Sequence, residues 1–319
     1  MGKYMHYFQT ESEYEQERSE NYLEPWVSLI GENDRVDYNK TEDERLLETP
    51  FTIEALGGGS ISWNLKDKSL YYSKNGGEWT TMTSATTIPV VAGDEVAFKG
   101  NNAAYIDEHE YGLPISSTAR FNVKGNIMSL TNGDNFLTAN TVSSGAFYVL
   151  FSGCTAVTSA ENLKLPATTL ATDCYDGMFC KCTSLTTAPE LPATTLAENC
   201  YSYMFSGCTS LTTAPELPAT TLGSSCYDYM FAGCTSLTTA PELPATTLAT
   251  YCYRGMFNGC TNLNYIKAMF TTTPSSTYTG NWVNGVASTG TFVKNAAAQW
   301  DVSGKTGIPT GWTVETASA

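Results

Sequence analysis

The sequence contains little of what most enzymes and nucleic-acid-binding proteins need. It has only two histidines, His6 and His109, and 17 basic against 32 acidic residues, which gives a net charge of −15. Electrostatic binding to nucleic acid depends on Lys and Arg that displace counterions from phosphates, so this charge argues against a nucleic-acid partner. Ser-His-Asp and Cys-His arrangements and a phosphate-binding glycine loop are missing. The sequence therefore predicts a protein that is not an enzyme and that has no cofactor and no metal site.

Long apolar runs are also missing. No stretch approaches the roughly 18 apolar residues that a membrane-spanning helix needs, which argues against membrane insertion. The first 20 residues, MGKYMHYFQTESEYEQERSE, lack the apolar segment of a secretory signal. We therefore expect a chain that does not leave a cell by the ordinary secretory route.

What the sequence has in abundance is a 26-residue repeat. The motif LPATTL begins at Leu165, Leu191, Leu217 and Leu243, and a fainter copy that is two residues longer begins at Phe151. A repeat of about 20 to 29 residues with a leucine framework is typical of leucine-rich repeats. We expect each repeat to contribute a short strand, near residues 185–188, and a tight turn or short helix, near residues 201–205. One repeat cannot bury its own apolar face, so neighbouring repeats should stack into a solenoid.

The stretch YMFSGCTSLTTAPELPATTLA resembles the BspA-type leucine-rich repeats of gut-bacterial surface proteins and of their phages. The resemblance covers residues 150–270, and the flanking stretches NGGEWT, VAGDEVAFKGNNAAY and GVASTGTFVKN are similar to modules that accompany such repeats. It implies a repeat solenoid carried by an adhesin or a phage structural protein.

Ten cysteines are enough for five disulfides, but their recurrence at equivalent positions of the repeats argues against disulfides. Nine of them fall into two series that follow the repeats, one per repeat in each series, and Cys180 alone falls outside both. In leucine-rich repeats a small buried residue, often Asn or Cys, occupies the turn of every repeat, and free Cys behaves as a small hydrophobic residue. The sequence contains no CxxC pair, the spacing typical of structural zinc sites. We predict structural, reduced and buried thiols at Cys182, Cys208, Cys234 and Cys260.

The repeats also separate core from surface, because their positions can be compared with one another. Positions that are identical in all four repeats should pack in the stack, including the tyrosines Tyr175, Tyr201, Tyr227 and Tyr253. Positions that vary should point outward, and they hold residues common in carbohydrate and protein contacts. The candidate binding strip comprises Asp173, Asp176, Glu198, Tyr203, Asp228, Tyr229, Tyr251 and Arg254. The alternative is that these residues are only solvated turns.

The chain is predicted to be mainly β and to have four parts. Residues 1–48 form an N-terminal arm, 49–140 a small immunoglobulin-like β-sandwich, 141–263 the leucine-rich-repeat solenoid, and 264–319 a β-rich cap with Trp282, Trp300 and Trp312. Short alternating runs such as FTIEAL, SISWNL and EVAFKG indicate the sandwich strands. Asn75-Gly76 predicts a type I′ hairpin, because both central residues of that turn need positive φ.

The N-terminal arm differs in composition from the rest. Residues 1–48 carry 13 acidic and 5 basic residues, which is a charge of −8, and aromatic residues are scattered among them. Such a segment cannot bury a core of its own and gains order from a partner. The side chains predicted to enter pockets on that partner are Tyr7, Phe8, Tyr22 and Trp26.

These observations favour a virion structural protein without enzymatic activity, located on the virion surface as a capsid decoration, head fibre or tail-associated protein. Its predicted partners are other virion proteins of the capsid or tail, bound by the arm, and a host-surface glycan or protein, bound by the repeats. A bacterial cell-surface leucine-rich-repeat adhesin is the alternative. The sequence leaves open whether the chain forms a homo-oligomer.

Overall fold

A computed structural model of the chain describes residues 40–66, 68–105 and 114–317, and these residues are mainly β. The chain divides into two compact units, Met1–Arg45 and Leu46–Ala319. Helices are few and short: α1 (Glu42–Glu48), α2 (Ser129–Asn132), a 3-10 helix (Gly133–Thr138) and α3 (Ser276–Thr279). No helix of the described residues is both long enough and apolar enough to cross a bilayer.

Two sheets precede the repeats. Their strands are β1 (Thr52–Ala55), β2 (Gly59–Trp63), β3 (Leu70–Lys74), β4 (Thr80–Met82), β5 (Thr87–Val90), β6 (Glu95–Gly100), β7 (Ile115–Ser117) and β8 (Phe121–Asn126). One sheet has the order β8-β1-β6-β3-β4 and the other the order β5-β2-β7, all antiparallel. The two sheets are in contact through buried aromatic residues, since the Trp63 ring of β2 lies 5.3 Å from the Phe98 ring of β6.

The turn prediction in this region is confirmed. Asn75 and Gly76 have φ values of 52° and 69°, and the Gly77 N–H donates to the Lys74 carbonyl across 3.0 Å. Positive φ at both central residues is what a type I′ turn requires, and its twist matches that of the paired strands β3 and β4.

The larger sheet continues into the repeats, with one register shift between Phe121 and Asn122. Strands β9 (Val157–Ser159) and β10 (Leu163–Lys164) pair with β8 in parallel. The buried residues of both regions form one hydrophobic cluster, in which the Phe51 ring lies 5.9 Å from the Phe151 ring.

Successive repeats are joined by a regular set of backbone hydrogen bonds. In the second repeat the N–H groups of Tyr201, Tyr203 and Phe205 donate to carbonyls 25 residues ahead, in the third repeat, over 2.8–3.1 Å. The N–H groups of the residues between them, such as Ser202 and Met204, donate instead to the carbonyl three residues back. Every second residue therefore binds the next repeat, and the intervening residues close tight turns.

The prediction of a strand at residues 185–188 is wrong. The segment contributes one isolated parallel bridge, Ser159↔Thr187, and the second repeat has none at the equivalent site. Pro189 follows at once, and proline has no N–H to donate to a ladder. The predicted tight turn at 201–205 is present, and it carries the inter-repeat hydrogen bonds.

Inside the stack the aromatic residues that recur from repeat to repeat form two columns of parallel rings. The buried rings of Tyr175, Tyr201, Tyr227 and Tyr253 follow one another at 5.7–6.0 Å. The rings of Phe151, Phe179, Phe205, Phe231 and Phe257 do so at 5.0–5.9 Å. Each inner ring of a column contacts the same residue type in the repeats before and after it, which explains why these positions do not vary between repeats.

The C-terminal residues continue this arrangement. Strands β11 (Tyr265–Ala268), β12 (Thr291–Lys294) and β13 (Thr313–Thr316) form a parallel sheet, and β11 pairs with β12 at the repeat spacing of 26, as in Tyr265↔Thr291. The buried Trp282 ring lies 6.2–6.4 Å from the rings of Tyr253 and Phe257, at the end of both columns. The region predicted as a cap thus covers the last aromatic rings while it extends the stack.

The ten cysteines are all free thiols, and all except Cys180 are buried. The thiols of Cys182, Cys208, Cys234 and Cys260 each donate to a phenylalanine carbonyl of an earlier repeat across 3.0–3.1 Å. Burial raises the pKa of the Cys174 thiol to about 12, and it raises the pKa of Cys208 as well. The thiols are therefore protonated at neutral pH and form part of the core.

We expect alkylation to distinguish these thiols by their burial. In the native protein at pH 7.5 the half-buried Cys180 should react first and the others very slowly, because only the thiolate is a nucleophile. In denaturant without reductant, intact-mass measurement should show ten labels. Failure of pairs of cysteines to react in denaturant would reveal disulfides and contradict the structure.

Candidate ligand-binding face

The outer turns of the repeats contain rows of residues with left-handed backbone. Three such residues, four apart, occur in each of the four repeats, for example Asn199, Tyr203 and Gly207 with φ of 51°, 51° and 76°. The middle row runs Val149, Gly177, Tyr203, Tyr229 and Gly255, with φ between 45° and 61°. The N–H of each member donates to a carbonyl of the following repeat, so the inter-repeat hydrogen bonds fix this conformation.

Two tyrosines in this middle row stand where other repeats have glycine. A left-handed backbone costs a residue with a Cβ about 1–2 kcal/mol, and glycine adopts it freely. Tyr203 and Tyr229 nevertheless occupy it, and their rings stack at 5.2 Å with an angle of 2° between planes. Tyr203 is 39% exposed. Strained residues persist where the surrounding structure holds them and are common at binding sites.

An ion pair lies beside the stacked rings. The Arg254 guanidinium donates through Nε to Asp228 Oδ1 at 2.9 Å and through Nη2 to Asp228 Oδ2, which is a bidentate pair between neighbouring repeats. The guanidinium carbon lies 4.5 Å from the centre of the Tyr251 ring and 5.8 Å from that of Tyr229. These cation–π contacts join Tyr251 to the group. We call Tyr203, Tyr229, Tyr251, Asp228 and Arg254 the tyrosine face.

The predicted strip is outward-facing except at Asp228. Tyr203, Tyr251 and Glu198 are exposed, and Asp173, Asp176, Tyr229 and Arg254 are half-buried. Asp228 is only 3% exposed, so the prediction that it points outward is wrong. Its carboxylate lies in the row Asp176, Ser202, Asp228 and Arg254, and the Arg254 side chain of the next repeat covers it.

The structure brings five of the eight strip residues together as the tyrosine face. Asp176 stands near it, since the charge of Asp228 helps to raise the pKa of Asp176, and Asp173 lies near Asp176, since its charge acts on Asp176 in the same way. Glu198 is joined to Asp173 through its backbone, where its carbonyl accepts the Asp173 N–H at 3.1 Å. The arm residues Tyr7, Phe8, Tyr22 and Trp26 lie outside the described part of the chain.

The left-handed rows were missed by the sequence reasoning, although the sequence carries a signal for them. Gly177 and Gly255 in the middle row, and Gly207, Gly233 and Gly259 in the next, recur at the repeat spacing. Glycine at fixed positions of a repeat indicates positive φ. Applied to Tyr203 and Tyr229, the same comparison would have predicted a bulky side chain on a left-handed backbone.

The charges of the face are arranged in pairs and rows rather than as a metal site. Among the described residues, no three His, Cys, Asp or Glu side chains are placed to hold a metal ion. Burial raises the pKa of Asp228 above its ordinary value, and the bond to Arg254 offsets part of this rise.

Comparison with family models, curated proteins and solved structures gives no match for this chain.

Asp176 should make stability depend on pH near neutrality. Burial, with the charges of Asp173 and Asp228, raises its pKa from 3.8 to about 7. Between those two values the unfolded chain releases the proton that the folded chain retains. The folded state therefore loses stability as the pH rises from about 4 to about 7, by up to about 1.4 kcal/mol for each unit between the two values.

Asp176→Asn removes this penalty. We expect the variant to be more stable than the parent by about 1–2 kcal/mol at pH 8, since partial solvent access reduces the full effect, and nearly equal to it at pH 4. Urea unfolding at both pH values measures the difference. Asp134→Asn, at an exposed carboxylate paired with Lys99, serves as the control. An Asp176→Asn effect that is the same at pH 4 and pH 8 would contradict the raised pKa.

Proposed function

We propose that this chain is an adhesion protein of a virion surface, without enzymatic activity, in which the tyrosine face binds a glycan or protein of the host surface. The observation that carries the proposal is the stacked Tyr203–Tyr229 pair on left-handed backbone, in which Tyr203 is exposed and Tyr229 is half-buried. Packing of the core does not require these rings, because Gly177 and Gly255 occupy the same row in other repeats. Rigid aromatic side chains on a fixed scaffold provide binding area at little entropic cost.

In this proposal the stacked repeats are a BspA-type leucine-rich-repeat solenoid, and the two upstream sheets form an immunoglobulin-like sandwich. Supporting the first, the framework residues Leu165, Leu191, Leu217 and Leu243 are buried at the repeat spacing. Supporting the second, antiparallel sheets pack around Trp63 and Phe98. The two regions share one continuous hydrophobic core, and the repeats present the tyrosine face on this scaffold.

The binding role can be tested with fluorescently labelled full-length protein on gut-bacterial cells and on mucin-coated surfaces. The double variant Tyr203→Ala/Tyr229→Ala should bind at least about tenfold more weakly, a loss of about 1.4 kcal/mol or more. Tyr71→Ala is the matched control, because Tyr71 is also 39% exposed but lies on β3 of the upstream sheet. Equal binding by the parent and the double variant, or no binding by either, would contradict the proposal.

The virion setting rests on the composition of residues 1–48. This acidic and aromatic segment attaches the chain to the capsid or tail through Tyr7, Phe8, Tyr22 and Trp26, while the repeats face outward. The repeats suit display rather than attachment to an acidic surface. Between Leu165 and Leu263 they have two basic residues, Lys181 and Arg254, against seven acidic ones.

Deletion of residues 1–40 should leave a folded protein that no longer assembles onto particles. It removes most of the first compact unit and leaves Leu46–Ala319 complete. Mass spectrometry of purified particles should detect the full-length protein and not the truncated one, and circular dichroism should show that the truncated protein is folded. Incorporation of the truncated protein, or recovery of the full-length protein only from bacterial envelopes, would contradict the attachment model and favour a bacterial adhesin.

A further inference from the structure

The middle left-handed row has a gap of one side chain. Each side chain of the row lies against the following repeat. A Cβ added to Gly255 would lie 2.6 Å from Cδ1 and Cζ of the Tyr229 ring, and one added to Gly177 would lie 2.9 Å from Val149 Cγ1. Tyr229 thus covers Gly255, Val149 covers Gly177, and Tyr203 stacks on Tyr229. The side chain that would cover Tyr203 belongs to position 177, where there is glycine.

The gap therefore lies between Val149 and the Tyr203 ring. The stacked rings of the row are 5.2 Å apart. Because Gly177 has no side chain, the Tyr203 ring lacks on this side the stacking partner that it has in Tyr229 on the other, which leaves space for one flat ring at a contact distance of about 3.5–4 Å from Tyr203. The exposure of Tyr203, despite its stacking on Tyr229, is consistent with one open ring face. We call this gap the Tyr203 slot.

The chemistry around the slot favours an uncharged ligand with one apolar face. Val149 and the Tyr203 ring provide apolar walls. Asp176, next to Gly177 in the chain, is close enough for its charge to act on Tyr203, and it offers a carboxyl group for hydrogen bonds at the edge. Arg254 already forms its bidentate pair with Asp228, and the surrounding repeats carry an acidic surplus, so an anionic ligand is disfavoured.

We propose that the Tyr203 slot binds one pyranose ring of a neutral glycan, with the apolar C–H face of the sugar stacked on Tyr203 and its hydroxyl groups directed toward Asp176. This inference rests on the adhesion function proposed above and specifies its ligand class. Between Tyr203 and Gly255 the row has no second gap, because Tyr203 stacks on Tyr229 and Tyr229 covers Gly255. The slot therefore holds a single sugar residue. Tight binding to a cell surface then comes from many copies of the protein acting together.

The experiment titrates the full-length protein with methyl β-galactopyranoside, methyl β-glucopyranoside and N-acetylglucosamine, and with N-acetylneuraminic acid as the anionic probe. Saturation-transfer NMR measures binding and identifies the protons that contact the protein. We expect at least one neutral sugar to bind, with the strongest transfer to the protons of one ring face, and the anionic sugar to bind more weakly. Binding of the anionic sugar alone, or of no sugar, would overturn the inference.

Two variants test the location. Gly177→Tyr fills the slot and should abolish sugar binding. It should fold, because Tyr203 and Tyr229 hold tyrosine at the same position of their repeats with φ of 51°, although Val149 must shift. Tyr203→Ala removes the stacking wall at an exposed site and should weaken binding at least about fivefold, so the location stays testable if Gly177→Tyr does not fold. Tyr71→Ala should bind as the parent does. Unchanged binding by Tyr203→Ala would place the sugar elsewhere.

The same variants separate this inference from the proposed function. If the parent binds cells, and neither the neutral sugars nor Gly177→Tyr reduce that binding, the slot inference is wrong and the tyrosine face binds a protein instead. If the parent binds a neutral sugar in the slot but no cell surface, the slot is established and the adhesion function is wrong.

Discussion

Phe205→Ala should lower the free energy of unfolding by about 3–5 kcal/mol, the range for truncating a large buried aromatic side chain. Phe205 is fully buried, and its ring stacks between those of Phe179 and Phe231 at 5.8 and 5.7 Å. The cavity opens onto both inter-repeat interfaces, and a stack of repeats depends on the contacts between nearest neighbours. Urea unfolding followed by circular dichroism measures the loss.

Val91→Ala provides the control for this experiment. Val91 is 62% exposed in a turn of the upstream sheets, and its truncation should change stability by less than about 0.5 kcal/mol. If both variants lose similar stability, Phe205 is not packed in the column of rings, and the assignment of the inner face of the repeats is wrong.

Arg254→Ala should cost about 2–3 kcal/mol, because it leaves the Asp228 carboxylate buried without its cation. Breaking a fully buried pair costs about 3–5 kcal/mol, and the partial exposure of the Arg254 side chain, 38%, reduces this. The cost should also depend on pH. Burial raises the Asp228 pKa, and loss of Arg254 raises it further. In acid the Asp228 carboxylate of the variant is protonated and no longer carries a buried charge, so the loss of stability is larger at pH 8 than at pH 4.

The matched control is Lys267→Ala, which breaks another ion pair between neighbouring repeats. Lys267 Nζ lies 2.8 Å from Glu242 Oε2, but both side chains are substantially exposed. Exposed pairs contribute about 0–1 kcal/mol, so this variant should lose little. Thermal and urea unfolding of both variants compare the two pairs. Equal losses, or an Arg254→Ala deficit that does not vary with pH, would mean that Asp228 is not buried as the structure shows.

The sequence was informative wherever one residue or one spacing decides the local structure. Asn75-Gly76 predicted a type I′ turn because the turn requires positive φ at both positions, and both have it. The spacing of Cys182 and Cys208 predicted buried thiols, since a residue that recurs in every repeat belongs to the shared core. These inferences needed no knowledge of neighbouring side chains.

The prediction for Asp228 failed because its burial depends on other repeats. The position varies along the stack, from Asp176 to Ser202 to Arg254, and variation alone indicates exposure. Arg254 is 26 residues away, yet it lies against Asp228 and covers it. The expected strand at residues 185–188 failed for a different reason. Its threonines favour β structure, but Pro189 prevents the backbone from continuing the ladder.

The hydrogen bonds between repeats have a consequence for how such a chain can change its length. Each repeat donates N–H groups to the next and accepts from the one before in the same register, as Tyr203 and Tyr229 do through their backbone. A whole 26-residue unit can therefore be inserted or removed without leaving donors or acceptors unmatched, and the copy that begins at Phe151 keeps these bonds although it is two residues longer. The length of the stack therefore changes in steps of one repeat, and each repeat adds about 4.8 Å, the spacing of paired strands. Near-identical copies also provide the sequence identity that recombination needs to add or remove one repeat.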